Sequence, residues 1–180
     1  MKASSSTKSE TSTRKHNSMG YTHYWHQKKD IPTAKWARIC KEIEKIVYNG
    51  PLLRKHGISL EHDNDGPDEP PKVTNAMILF DGRGEQGHET FLFSRQKPET
   101  NRTSSTREST ESFGCCKTQM KPYDLVVCLC LLSLVRHAPE CVRISSDGNW
   151  DKEWLEARET YKQLFGVNSE PEGLAQVTKT

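Results

Sequence analysis

The sequence is 180 residues long; 33% of the residues are hydrophobic, 28% are charged, and the formal net charge is +2. This length suits one domain of ordinary size, and the polar balance indicates that part of the chain does not join a packed core. Residues 1–18 are such a part, because they are rich in Ser, Thr and Lys and contain no aromatic or branched aliphatic side chain. We predict that they form a disordered tail.

The basic charge of the chain is concentrated in this tail. Its four Lys and Arg residues and one Glu give a balance of +3, which leaves −1 of the net +2 for residues 19–180. A domain that holds nucleic acid through its phosphates normally concentrates Lys and Arg. The composition of the core therefore argues against nucleic acid as its partner.

The N-terminal basic residues are not followed by the apolar segment of a secretory signal. We therefore expect a cytoplasmic, reducing location, where the six cysteines are thiols rather than disulfides. The longest apolar run, "YDLVVCLCLLSLVRHA", has only 11 residues between its charged flanks, Leu125 to Val135. A membrane span needs roughly 20. The run thus predicts a buried helix of about four turns and no membrane association.

In chain order, the first predicted element is an aromatic strand, "YTHYWHQ" at residues 21–27. Strand alternation places Tyr21, His23 and Trp25 together on one face. An amphipathic helix follows, and the pair Asn49-Gly50 ends it. The charged side chains of this helix, Glu42 among them, are interpreted as a solvated surface.

The acidic segment "EHDNDGPDEPP" at residues 61–71 resembles the start of a calcium-binding loop, but Lys72 stands where an EF-hand needs a bidentate carboxylate. We interpret the segment as a Pro-rich turn. Residues 76–95 contain two apolar runs separated by a Gly-rich turn, which predicts a β-hairpin. Their glycines do not form a phosphate loop, because the chain continues into a strand rather than a helix.

Residues 96–112 repeat the composition of the tail and predict a mobile insertion. The buried helix then begins after Pro122 and stops before Pro139. Asp124 suits the positive end of that helix.

A short strand, "CVRISS", and a last helix capped by Gly166 complete the predicted elements. We assign residues 19–166 to a single α+β domain and residues 167–180 to a polar tail. The order of elements predicts a small antiparallel or mixed sheet packed by about three helices. Within this class, a ferredoxin-like topology is the leading prediction.

Four segments together resemble one group of proteins: "MGYTHYW" at Met19–Trp25, "FDGRGEQGHETF", "CKTQMKPYDLVV" and "SDGNWDKEW" with "LFG". They are similar to short bacterial and bacteriophage proteins that commonly begin with an "MGYTHYW"-like sequence, a family with no established activity. The resemblance covers most of residues 19–166, and it implies that Met19 marks the ancestral start. The leader before Met19 and the insertion at 96–112 depart from the family pattern.

Polar and aromatic residues in these segments are the candidates for a functional site. They combine aromatic faces with charged and thiol groups, as a pocket for a small polar ligand or a partner peptide would. The alternative is a hydrogen-bonding network that holds the strands to the helix. The residues expected to converge in one cleft are Tyr21, His23, Trp25, His88, Glu89, Cys116, Lys117, Tyr123 and Asp124.

The spacing of cysteine and histidine predicts no metal site, and we expect no cofactor. His23 and His26 would point to opposite faces of a strand, so they could not hold one ion without a bulge. The adjacent pair Cys115-Cys116 is a poor chelate. Cys128 and Cys130 diverge by roughly 200° around a helix, which favours an interpretation as small core residues.

Two function classes follow from these residues. A non-enzymatic binding or interaction module, with an unknown small polar ligand or protein partner, is the main prediction. The alternative is a small hydrolase-like enzyme using Cys116 or a His/Glu site. In that enzyme Lys117 would lower the pKa of the thiol and His88 would act as its base. A buried Cys116 with a purely structural role is the competing interpretation.

Overall fold

The computed structural model describes residues 20–63, 69–99 and 111–167. The predicted N-terminal tail, most of the predicted insertion at 96–112 and the tail beyond Val167 lie outside these residues. The described residues form seven β-strands and four α-helices, and the strands make two antiparallel sheets. The predicted α+β class is therefore confirmed.

Three strands form the first sheet, and their bounds are Thr22–Gln27 for β1, Ser112–Lys117 for β6 and Val142–Ser146 for β7. β1 is the central strand, and it is antiparallel to both neighbours. His23 and Trp25 lie on one face of β1, as the sequence predicts, and that face is buried. This register places His23 opposite Cys116 of β6, with its side chain facing the core.

A second sheet is built around one strand that pairs with three others. Its members are β2 at Leu60–Glu61, β3 at Lys72–Val73, β4 at Met77–Gly82 and β5 at Phe91–Ser94. β4 and β5 form the predicted hairpin, and a 3-10 turn at Gly84–Gln86 is part of the connection between them. β2 and β3 have two residues each, too few for a pattern that the sequence could show.

The four helices are α1 at Thr33–Val47, α2 at Gly50–Lys55, α3 at Asp124–His137 and α4 at Leu155–Phe165. α2 is not among the predicted elements. α1 ends at Val47, two residues before the predicted Asn49-Gly50. Asn49 instead caps the start of α2, where its side chain accepts a hydrogen bond from the amide of Leu52 at 3.1 Å. α4 ends at Gly166, whose φ of 67° lies in the left-handed region that glycine tolerates.

α3 lies at the centre of the hydrophobic core. Every residue from Leu125 to Val135 is buried, because α1, α4 and β7 all contact this helix. The prediction of a buried helix is confirmed. None of the helices in the described residues has the length and apolarity that a membrane crossing requires.

With α2, β2 to β4 and the last helix, α4, set aside, the elements run β1, α1, β5, β6, α3, β7, which is the β-α-β-β-α-β order of a ferredoxin-like fold. The sheet itself is divided. β5 contacts β6, yet its hydrogen-bonded ladder is formed with β4. The segment between α1 and β5 contains β4. β4 pairs with β5, so β5 belongs to the second sheet rather than to the first.

Candidate functional site

The predicted cleft residues fall into two groups near the amino end of α3, and two of them lie elsewhere. One group surrounds Tyr123, the residue before the helix, and the other surrounds Asp124, its first residue. Trp25 packs in the core against Phe91 and Phe93, with ring centroids 5.4 and 5.9 Å away. The amide of His88 donates to the buried carboxylate of Asp81 at 3.3 Å.

The Tyr123 group is a set of hydrogen bonds that hold the hairpin loop to β6 and α3. The Tyr123 hydroxyl donates to the carbonyl of Glu89 at 2.8 Å and accepts from the amide of Glu89 at 3.2 Å. Cys116 Sγ donates to the same carbonyl at 3.1 Å, and the Lys117 amide donates to the Glu89 carboxylate at 2.7 Å. These residues therefore form a hydrogen-bonding network that holds strands to the helix. Such a network was the alternative to a ligand cleft.

Cys116 lacks the surroundings of a nucleophile. It is 0% exposed, and burial raises the pKa of its thiol well above the ordinary value. No hydrogen bond joins His88 to Cys116 among the described residues, although His88 was the predicted base. A thiol that stays protonated and donates to a backbone carbonyl does not supply the thiolate that nucleophilic catalysis needs.

Around Asp124, three side chains from β1 and α3 point at one spot. His23 Nε2 lies 2.8 Å from Asp124 Oδ1 and 3.6 Å from Cys128 Sγ. Cys128 Sγ lies 3.9 Å from Asp124 Oδ2. We call His23, Asp124 and Cys128 the His-Asp-Cys cluster. Its three donor atoms all lie within 4.8 Å of one another, close enough to share a metal ion.

Two local patterns build this cluster. Asp124 and Cys128 are four residues apart on α3, so their side chains lie on one face of the helix, one turn apart. His23 is on the buried face of β1. The spacing of Cys128 and Cys130 gives no sign of this cluster. The four-residue spacing of Asp124 and Cys128, which places both side chains on one helix face, is a signal that the sequence does contain.

Aromatic rings enclose His23 on two sides. The rings of Tyr21 and Trp154 contact it edge-on, with centroids 5.2 and 5.3 Å away. His23 Nδ1 is buried and has no hydrogen-bond partner within the described ranges. All the polar contacts of the ring are therefore made through Nε2.

The geometry is not that of a catalytic relay. In a relay, one ring nitrogen of the histidine contacts the nucleophile and the other contacts the carboxylate. Here Nε2 of His23 faces both Cys128 and Asp124. Burial raises the pKa of the Cys128 thiol well above its ordinary value, and the Asp124 carboxylate raises it further.

A cavity of about 300 Å³ adjoins the cluster, and Asp124 and Cys128 form part of its wall. The other polar side chains of the wall come from the residue after α2, from the loop before α3, and from the beginning of α4 and the turn before it. They are His56, Lys121, Glu153 and Glu156. None of these four was a predicted site residue, because no local pattern joins them.

A second hollow of about 580 Å³ lies between α1 and β3. Two donors that line it, Trp36 Nε1 and Cys40 Sγ, both donate to the carbonyl of Thr74, at 2.9 and 3.3 Å. This hollow is larger, but these donors are already paired. The cavity beside the His-Asp-Cys cluster is therefore the better candidate for a site.

Comparisons with protein-family models, with curated proteins and with solved structures find no match to this chain.

Proposed function

We propose that the protein is a non-enzymatic binding module that takes a small polar ligand in the cavity at the amino end of α3. The observation that carries this proposal is the composition of the cavity wall. It combines the carboxylates of Asp124, Glu153 and Glu156 with the basic side chains of Lys121 and His56. Its volume of about 300 Å³ is at the lower end of the usual range for ligand sites, roughly 300 to 1,000 Å³.

His56 is the wall residue best prepared to contact a ligand. Its Nδ1 lies 3.0 Å from Glu156 Oε1, which fixes the orientation of the ring. Its Nε2 is buried and has no hydrogen-bond partner among the residues that the structure describes. An unpaired buried nitrogen costs about 1–3 kcal/mol, so a ligand that supplies the missing hydrogen bond would recover that free energy.

The hydrolase-like alternative has less support. Cys116 is buried and hydrogen-bonded to a backbone carbonyl, and Cys128 faces the same histidine nitrogen as Asp124. Membership of the bacterial and bacteriophage family suggested by "MGYTHYW" is a proposal that rests on the sequence alone.

Native mass spectrometry of protein purified from a cell extract tests the binding proposal. We expect the full chain to retain a small-molecule adduct and His56→Gln to lose it, because the variant removes the imidazole from the cavity wall. His26→Gln is the matched control: His26 is also ion-paired, with Glu111 at 3.6 Å, but does not line the cavity. An adduct that survives in His56→Gln, or a wild-type chain without adduct, contradicts the proposal.

A further inference from the structure

The His-Asp-Cys cluster has the spacing of a metal site. His23 Nε2 lies 2.8 Å from Asp124 Oδ1 and 3.6 Å from Cys128 Sγ, and Cys128 Sγ lies 3.9 Å from the other carboxylate oxygen, Oδ2. With one donor atom taken from each residue, all three lie within 4.8 Å of one another. A tetrahedral zinc ion, with bonds of roughly 2.0 Å to nitrogen and oxygen and 2.3 Å to sulfur, would hold such ligands about 3.3 to 3.5 Å apart. The two separations from His23 Nε2 depart from these values by no more than about half an ångström, so small side-chain movements would admit the ion.

The way His23 is used also favours a metal. Three ligands of one ion must each present a single donor atom to a common centre, and Nε2 of His23 is the atom nearest to both Asp124 and Cys128.

Charge balance selects a divalent cation. His23 and Cys128 are 0% and 1% exposed, so a charged group here is largely removed from water. A dication bound by one carboxylate, one thiolate and a neutral imidazole has no net charge, which lowers the cost of burying the site. On binding, the Cys128 thiol releases its proton to solvent and sulfur donates its electron pair to the ion.

The donor types narrow the choice of metal. Magnesium and calcium are held by oxygen ligands, whereas a mixed set of nitrogen, oxygen and sulfur suits zinc. We infer that His23, Asp124 and Cys128 form a zinc site with three protein ligands. This differs from the expectation drawn from the sequence, which compared only histidine and cysteine spacings.

The fourth coordination position faces the cavity, because Asp124 and Cys128 both line it. Three protein ligands and one open position are typical of zinc sites that act on or bind a further molecule. Zinc binding itself does not depend on the proposed function. One part of the inference does rest on the proposed function, namely that the ligand bound in the cavity completes the coordination of the ion.

Neighbouring side chains hold the ligands in place. The Thr118 hydroxyl donates a hydrogen bond to Asp124 Oδ1, which orients the carboxylate. Tyr21 and Trp154 enclose the ring of His23. Such surrounding contacts typically account for about 10- to 100-fold in metal affinity. We therefore expect Thr118→Val to weaken zinc binding by a factor in that range.

The test is a titration of metal-free, full-length protein with Zn²⁺ against a chromophoric chelator, together with Co²⁺ absorption spectra. We expect a high-affinity zinc site and a cobalt spectrum with a thiolate charge-transfer band. Cys128→Ala should lack the charge-transfer band. Its zinc affinity should fall by at least about 100-fold, which is more than the loss of a contact that only orients a ligand causes. Cys130→Ala, also a buried cysteine of α3, is the matched control and should keep both.

Thermal melting followed by circular dichroism establishes that each variant is folded. If Cys128→Ala does not fold, Asp124→Asn replaces it, because the Asp124 side chain is 17% exposed and the change preserves its shape. That variant should lose affinity while the thiolate band persists at saturating cobalt. Equal zinc affinities for the wild type and the ligand variant, or a cobalt spectrum without the thiolate band, overturn the inference.

The two proposals fail separately. Adduct retention by chelator-treated protein, without zinc binding, would remove the zinc site and leave the binding module in place. Zinc binding by a chain that retains no small-molecule adduct would remove the binding module and leave the zinc site in place.

Discussion

At the scale of single residues, Glu42 of α1 is where three helices meet. Its carboxylate accepts hydrogen bonds from Ser133 at 2.9 Å and from Tyr161 at 2.5 Å. Arg136 and His137 approach it to 2.7 and 2.9 Å. The interpretation of Glu42 as part of a solvated surface was wrong, because its partners lie on α3 and α4, about a hundred residues along the chain.

The acidity of Glu42 reflects these partners. Burial alone would raise the pKa of Glu42, but the ion pair with His137 and the hydrogen bonds from Tyr161 and Ser133 outweigh it, so the pKa lies below its ordinary 4.5. A carboxyl whose pKa is lower in the folded state contributes stability that is fully present above its unfolded pKa. That contribution is lost as the pH falls through the folded pKa.

We expect Glu42→Gln to lower the free energy of unfolding by about 1.5–3 kcal/mol at neutral pH, the usual contribution of hydrogen bonds to a charged group. Urea denaturation measures the difference, which should shrink as the pH is lowered below 4.5. Glu44→Gln, at an exposed position of the same helix, should stay within about 0.5 kcal/mol of the wild type. A difference that is constant down to strongly acidic pH contradicts this role of the carboxylate.

At the scale of elements, local pattern accounts for most of the long ones. β1, α1, the β4–β5 hairpin, α3, β7 and α4 all have the periodicity or turn residues of their type. β6 was not predicted, because "SFGCCK" follows a polar segment and contains Gly114. Its strand conformation comes from pairing with β1, where the indole of Trp25 lies so close to Gly114 that a Cβ would come within 2.3 Å of Nε1.

The junction between α1 and α2 provides a test at this scale. Asn49→Ala removes the side chain that accepts from the Leu52 amide, and we expect a loss of about 1 kcal/mol of stability. Chemical denaturation compared with Asn75→Ala, a change at an exposed turn position, measures it. Equal stabilities for the two variants would show that α2 does not depend on this cap.

At the scale of the whole molecule, the packing of α3 organises the domain. α1 and α4 pack against this helix, β7 contacts it, and the His-Asp-Cys cluster links its first turn to β1. Exposing α3 therefore requires most of the tertiary contacts to open together. α2, by contrast, has six residues and a single buried side chain, Leu52.

Hydrogen exchange should reflect this difference. We expect the amides from Val127 to Val135 to exchange last, at a rate set by global unfolding, and those of α2 to exchange earlier through local opening. Mass spectrometry of peptides from deuterated protein measures both regions in one experiment. Exchange of α3 at the rate of α2 would contradict the central role of α3.

The sequence by itself determined that α3 is a buried helix and that His23 and Trp25 share one face of β1. Both follow from local signals, because an apolar run bounded by Pro and charged residues has few other solutions, and strand alternation fixes which side chains share a face. Only the tertiary structure decided which polar groups meet. His23 and Asp124 are 101 residues apart, and Glu42 and Tyr161 are 119 apart. No periodicity links such positions, so packing of the sheet and helices brings them together.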